Sequence, residues 1–428
     1  MARLDRTSAR ARPAAPVRAV HLGLGAFHRA HQAVYTAADP DWGIAAYTFR
    51  NTELPRLLTE QEGLYSVQVR GDTAPRVEIV DSISRVHRGD DTERWLADLT
   101  SPEVALVTLT VTEAAYRAPD DPAGTALGRL LAGLRRRYET SRAPLSLVPC
   151  DNLPGNGAAL RSALRSGAQR CGAEFRAWLD EQVSFVDTVV DRITPATTEQ
   201  DRTTTARLLG LEDRAPVVTE PFGEWLLAGE FRLGRPAWER AGARFVDDLD
   251  AYEQRKLWFL NGAHSLLAYT GPVLGCGTID EAVRHPRLSD WVESWWDAAG
   301  RHATLGSDDL LEYRRRLRQR FASRGLRHHL RQIASDGSQK LPARILPVLR
   351  AERHRGRLPD SAVAALAGWL LHLRTHEVRD PRVEELTALA HGPDAPRRAL
   401  AALDEELAAD DELVAAVEDR AREFGAAR

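Results

Sequence analysis

At 428 residues the chain is too long for one ordinary core, so two domains are expected. Its 58 basic residues nearly balance 61 acidic ones, a formal net charge of −3, which points away from nucleic acid or an anionic membrane surface as a partner. With 43% hydrophobic and 28% charged residues the sequence is that of a globular protein rather than a disordered one. The longest apolar run, 364–373, falls well short of the ~20 residues that span a bilayer. Three scattered cysteines, Cys150, Cys171 and Cys276, exclude a disulfide framework and a Cys-rich zinc site. Residues 1–16, rich in Arg, Ala and Pro and without an apolar h-region, are expected to be a disordered leader rather than a signal peptide, and the chain to be cytoplasmic.

In chain order, Val17–Leu22 reads as a buried strand leading into Gly23-Leu24-Gly25-Ala26-Phe27-His28, with a helix from Arg29 to Thr36. Strand, glycine turn and helix form the opening unit of a dinucleotide-binding fold, in which Gly23 and Gly25 let the backbone approach a pyrophosphate. The third glycine of that fingerprint is replaced by Phe27-His28. Further strands are expected at 43–50, 104–110, 146–150 and 185–190, with helices at 126–138 and 158–178 between them. Alternation of this kind gives a doubly wound, mostly parallel Rossmann-like sheet over 17–245. Beyond 245 strand signals stop, and helical periodicity at 289–299, 308–322, 361–375 and 404–424 makes 246–428 a mainly α-helical domain.

One compositional bias helps to locate chemistry. Lys256 and Lys340 are the only lysines among the 58 basic residues, where average usage gives roughly two dozen. Arginine serves as well as lysine on a surface, but a guanidinium cannot give and take a proton near neutrality. Asparagine is almost as scarce, confined to Asn51, Asn152, Asn156 and Asn261. Along 252–264, with Lys256 at zero and about 100° per residue, Glu253 falls near 60°, His264 near 80° and Asn261 near 140°. A base for an alcohol proton and donors for the developing oxyanion are what hydride transfer at a carbinol requires. Lys256 can be that base only if its surroundings, Leu257, Trp258 and Phe259, lower its basicity. Tyr252-x3-Lys256 also matches the Tyr/Lys pair of short-chain dehydrogenases, but Glu239-Arg240 stands where their upstream serine belongs.

Lys256-x4-Asn261-x2-His264 resembles the signature of the mannitol dehydrogenase family, the polyol-specific long-chain dehydrogenases. GLGAFHRAH (23–31), TLTVTEAAY (108–116), PCDNLPGNG (149–157), VDRITPATT (190–198), PVVTEPFGEW (216–225) and SDGSQKLPAR (335–344) are similar to that family's segments too. The resemblance implies a metal-independent NAD- or NADP-dependent oxidoreductase that interconverts a C6 ketose or keto-sugar acid with its polyol or aldonate. It assigns Lys256 as general acid/base, Asn152 and Asn261 as the amides on the substrate oxygen, His264 to a substrate hydroxyl and Glu253 to proton exchange with solvent. Gly23, Gly25, Phe27, His28, Arg50, Asn51, Thr110 and Asp191 are expected to line the cofactor, and Lys340 to bind substrate hydroxyls.

The departures bear on substrate and cofactor. Gln332 and Ser335 stand where mannitol-oxidising members carry an arginine and a histidine, closer to the fructuronate reductase branch, and a carboxylate substrate would find a cation in Lys340 or Arg344. Arg50-Asn51-Thr52 replaces the acidic residue that holds an NAD ribose, so NADP is expected to be tolerated beside NAD. A phosphorylated-polyol dehydrogenase and a non-catalytic NAD(P)-binding paralogue are the alternatives. No metal is expected: His28 and His31 lack a third ligand, and His328-His329 reads as surface. Cys150 reads as a buried small hydrophobe. The protein is expected to be a monomer or homodimer.

Overall fold

The computed structural model describes residues 1–49, 51–111, 113–116, 125–325, 328–375, 378–392 and 394–426. Two compact units divide the chain, Met1–Asp250 and Ala251–Arg428.

The first unit is Rossmann-like. Its main sheet contains β1 (Val17–Leu22), β2 (Gly43–Tyr47), β5 (Ile83–His87), β6 (Leu106–Leu109), β7 (Leu145–Pro149) and β8 (Val183–Phe185), all parallel, in the order β5-β2-β1-β6-β7-β8. The order reverses between β1 and β6, the switch point outside which such sheets bind ligands. Near-continuous apolar strands follow from burial on both faces: in β1, Ala19 joins one hydrophobic cluster while Val20 and Leu22 join the other. Two smaller sheets complete the unit. One pairs β3 (Tyr65–Val69) with β4 (Arg76–Val80) and β10 (Val217–Thr219); the other joins β9 (Asp187–Asp191), β11 (Glu224–Ala228) and β12 (Arg244–Phe245).

The structure corrects four expectations. Residues 1–16 are not a loose leader: Leu4 is fully buried, its amide donates to the Glu212 carbonyl, and Arg6 binds the carbonyls of Asp81 and Ile83. The expected strand at 185–190 is two strands in different sheets, because the chain leaves the main sheet after Phe185 and pairs antiparallel with β11. The expected helix at 158–178 breaks at Cys171-Gly172 into Asn156–Gly167, a 3₁₀ turn and Ala173–Gln182. The helix after the glycine turn breaks at His31, whose φ/ψ of −125°/−91° separates Ala26–Ala30 from Gln32–Thr36.

Arg137 shows what an arginine-rich chain does inside a core. It is fully buried without a carboxylate, and its N–H groups go to five carbonyls, those of Leu99, Ser101, Val104, Ala143 and Pro144, at 2.8–2.9 Å. Burial lowers its guanidinium to about 10.

Among the described residues the second unit is built from helices, with one isolated β-bridge between Thr278 and His329. Gly262–Thr270 and Asp360–His372 run through its centre, buried along almost their whole length, and Pro286–Gly300 and Asp411–Ala426 pack around them. Among the described residues no helix is long and apolar enough to cross a membrane.

Arg137→Met should orphan all five carbonyls at once and cost at least about 3 kcal/mol, read as a lowered urea midpoint. A change below about 1 kcal/mol would mean that water replaces the guanidinium without loss.

Candidate functional site

The turn after β1 is fixed from both sides of the switch point. Gly23 has φ +108°, and a Cβ there would lie 2.0 Å from the Thr110 carbonyl oxygen, so only glycine fits. The amides of Gly23 and Leu24 both donate to the Tyr47 carbonyl, and the Thr110 amide donates to that of Leu22. At Gly25 a Cβ would meet only the Gly23 carbonyl, at 3.6 Å, and no side chain caps the first turn of the helix that follows. That open space and those uncapped amides suit a pyrophosphate, so the turn fits a dinucleotide.

His21, within β1, carries the turn's hydrogen-bond chain. Thr110 Oγ1 donates to the Gly23 carbonyl at 2.8 Å, so its oxygen must accept from His21 Nε2 at 3.1 Å. A neutral imidazole then accepts at Nδ1, and Thr108 Oγ1 donates to it at 2.8 Å. Burial holds His21 neutral, lowering it to about 3. A buried histidine inside an apolar strand was the available sequence signal for this chain of bonds.

His28, expected at the cofactor, lies elsewhere. Its fully buried ring stacks on His21 with centroids 3.3 Å apart, and among the described residues neither ring nitrogen has a partner. Burial lowers it well below the ordinary histidine range, so it is an uncharged packing ring with no surface open to a phosphate. Phe27 stacks on His31 at 5.0 Å. The Asn51 amide oxygen accepts from the amides of Glu53 and Leu54, which makes it a cap of the helix Glu53–Glu60. Arg50 lies outside the described residues.

The carboxyl ends of neighbouring strands present the remaining groups of this unit. After β7, the Asp151 carboxylate accepts from the Val111 amide at 2.8 Å and the Tyr116 hydroxyl at 2.5 Å, leaving the adjacent Asn152 exposed. Asn156 is instead structural: fully buried, its side chain bonds the Asp151 carbonyl and both the amide and carbonyl of Thr188. Asp191, at the end of β9, is buried opposite Glu224 of β11.

In the second unit the segment that carries Lys256 is not a plain α-helix. Asp250–Arg255 is α-helical, Lys256–Asn261 is a π turn, and α geometry resumes over Gly262–Thr270. The Gly262 amide donates to Leu257, five residues back, instead of to Trp258. The 100° spacing assumed from sequence therefore fails between 256 and 261. A π turn closes over five residues, so Asn261 sits one turn above Lys256 and the arc shared by the four polar residues narrows. Lys256, Asn261 and Glu253 are half-buried.

His264 is buried, stacked on Phe321 at 4.9 Å and edge-on to His328 at 5.2 Å. Burial first, and then the charges of His328, Arg320 and Arg344, keep it uncharged. Lys340 Nζ donates to the Ile333 carbonyl at 3.3 Å and Ser335 Oγ at 3.2 Å, with Asp336 3.7 Å away; burial lowers this amine. Arg344, one turn on, donates to Ser265 Oγ at 3.3 Å, while Gln332 is exposed. Among the described residues no cluster of three or more His, Cys, Asp or Glu is arranged to hold a metal ion.

The sequence matches the family described as mannitol dehydrogenase Rossmann domain over residues 17–240 and the mannitol dehydrogenase C-terminal domain over 248–424. It is similar to D-mannonate oxidoreductase of Escherichia coli, 35% identical over 384 residues that cover 82% of this chain and 79% of that protein. Mannitol 2-dehydrogenase of Aspergillus terreus is 33% identical over 417 residues, 87% of this chain and 82% of that one. Among solved structures, the ternary complex of Pseudomonas fluorescens mannitol 2-dehydrogenase with NAD and D-mannitol is similar at TM-score 0.80 and 31% identity, covering 96% of this chain and 92% of that one.

The neutral histidines set a pH dependence. His21, His28 and His264 titrate below the ordinary value of ~6.5 in the folded chain, so below that pH the unfolded chain binds protons the folded one does not. Stability should therefore be complete above about pH 6.5 and fall as pH drops, at about 1.4 kcal/mol per pH unit for each such histidine. His28→Phe, which keeps a ring on His21, should flatten that slope by one proton's worth in urea melts between pH 5 and 7.5. An unchanged slope would mean that His28 is protonated when folded.

Proposed function

Because the chain belongs to the mannitol dehydrogenase family and is an NAD(P)-dependent oxidoreductase of that class, we propose that it interconverts a C6 ketose or keto-sugar acid with its polyol or aldonate, with Lys256 as the general acid/base. The π turn at 256–261 carries this reading, because it sets an amine and an amide on successive turns of one helix face. When bound, the nicotinamide dinucleotide supplies the acceptor for the carbinol's hydrogen and electron pair. The chain's own residues handle the proton and the oxygen.

Lys256 Nζ, as a free amine, takes the hydroxyl proton, which needs no metal. The Asn261 amide donates to the substrate oxygen as negative charge builds there. His264, held neutral by burial, offers a substrate hydroxyl one donor or one acceptor and leaves the charge balance alone. Glu253, one turn before Lys256, exchanges the proton with solvent. In the first unit the Gly23–Gly25 turn, Thr110 and Asp191 hold the dinucleotide.

Within this class the sugar-acid branch is favoured. Arg344 is half-buried on the same helix as Lys340, and among the described residues it spends one N–H on Ser265, which leaves donors of its fork for a carboxylate. Gln332 and Ser335 in place of an Arg/His pair agree with this.

Lys256→Ala should lower kcat at least ~100-fold while the cofactor dissociation constant stays within about threefold, and Lys256→Arg should fail alike because it stays protonated. Turnover is read from NAD(P)H absorbance on mannitol, arabinitol, mannonate and their keto partners, with mannonate or its keto partner expected to give the highest kcat/KM. Activity of Lys256→Ala within a few-fold of the parent would reject the base, and preference for a neutral polyol would reject the sugar-acid assignment.

A further inference from the structure

The π turn needs a physical cause, and the helix Pro286–Gly300 provides one. In an α-helix the Trp258 carbonyl would accept from the Gly262 amide, and the Phe259 carbonyl from the Ala263 amide. Here the Gly262 amide goes to Leu257, and the Trp258 carbonyl accepts from Trp295 Nε1 at 2.7 Å. The Phe259 carbonyl accepts from Trp296 Nε1 at 2.9 Å. Both indoles are buried, 0% and 1% exposed, so their N–H groups must find protein acceptors, and the two carbonyls are the acceptors they have. Gly262 makes the approach possible, since a Cβ there would lie 2.6 Å from Trp295 Nε1. Return to α geometry would give the Gly262 amide back to Trp258 and set it in competition with the indole for one carbonyl.

We propose that Trp295 and Trp296 are positioning residues for the reaction: their indole N–H groups occupy the Trp258 and Phe259 carbonyls and so hold the π turn that aligns Lys256 with Asn261. Neither indole touches substrate. This inference rests on the assignment of Lys256 and Asn261 as the reacting pair, and it adds that their alignment is imposed from a neighbouring helix.

The test compares three full-length variants. Trp295→Phe removes the donor, and replacement of Trp295 by β-(benzothienyl)alanine removes the same N–H while keeping the bicyclic shape, which covers the case that phenylalanine packs too poorly to fold. Trp291→Phe is the control: one turn earlier on the same helix, Trp291 is 5% exposed and donates to the Asp360 carboxylate at 2.8 Å, away from the π turn. Both changes at 295 should lower kcat about 10- to 100-fold, with cofactor dissociation and thermal midpoint no worse than in the control. Trp291→Phe should lose thermal stability while kcat stays within about twofold of the parent. If the folded benzothienyl variant keeps kcat within twofold, or if the control loses kcat equally, the proposal is overturned. Should these variants leave kcat unchanged while Lys256→Ala is inactive, only the positioning role falls; an active Lys256→Ala removes the assignment on which it rests as well.

Discussion

The exchange of one hydrogen bond sets the register of the polar helix face in the second unit. When the Gly262 amide bonds to Leu257, the helix gains a residue in one turn and everything after it is rotated relative to everything before. Glu253 lies on one side of that step, with Asn261 and His264 at its end or beyond. Such a turn costs free energy in isolation, since it leaves a carbonyl without its helical donor. The surrounding structure offsets the cost with indole N–H groups that are themselves too buried to reach water. The π register and the two indole donors are therefore parts of one hydrogen-bond arrangement.

A parallel constraint governs the first unit, in electrostatic form. The glycine turn rests on a chain from Thr108 through His21 and Thr110 to the Gly23 carbonyl, and that chain has a single proton sense only while His21 is neutral. Burial keeps it so, and the stacked ring of His28 adds a second uncharged imidazole. On the Gly23 side the turn is held by neutral dipoles and a steric fit, while on the Gly25 side the buried Arg29 guanidinium donates to the Gly25 carbonyl at 3.2 Å. The uncapped backbone amides after Gly25 are the groups suited to an anion.

Much of this was legible in the sequence. The strands β1, β2, β6 and β7 announce themselves as apolar β-branched runs bounded by glycine or polar punctuation, and the switch to helical periodicity marks the second unit. The scarcity of lysine narrows the candidate amines to Lys256 and Lys340 without any structural information. Other features were hidden for identifiable reasons. The strands of the two small sheets run only two to five residues, so even the apolar/polar alternation of β3 (YSVQV) and β4 (RVEIV) spans too few positions to stand out. The 1–16 segment looks disordered by composition because its anchorage comes from scattered single contacts, among them Leu4, Arg6 to the Asp81 and Ile83 carbonyls, and Arg12 to the Asp81 carboxylate, which form no periodic pattern. His28 and Asn51 sit where a dinucleotide motif would use them, but burial claims one and a helix terminus the other. The π turn is invisible to a 3.6-residue period by construction; adjacent tryptophans at 295 and 296, each needing an acceptor, were its only outward sign.

The central claim is chemical: an uncharged primary amine at position 256 removes the carbinol proton. Chemical rescue tests it most directly. Lys256→Ala leaves a cavity of lysine shape, and small primary alkylamines of graded basicity can be supplied to it from solution while turnover is followed. The account predicts that turnover returns in proportion to the free-amine concentration and rises with amine basicity, whereas tertiary amines too bulky for the cavity have no effect. Turnover that no primary amine restores, or restoration indifferent to basicity, would contradict it.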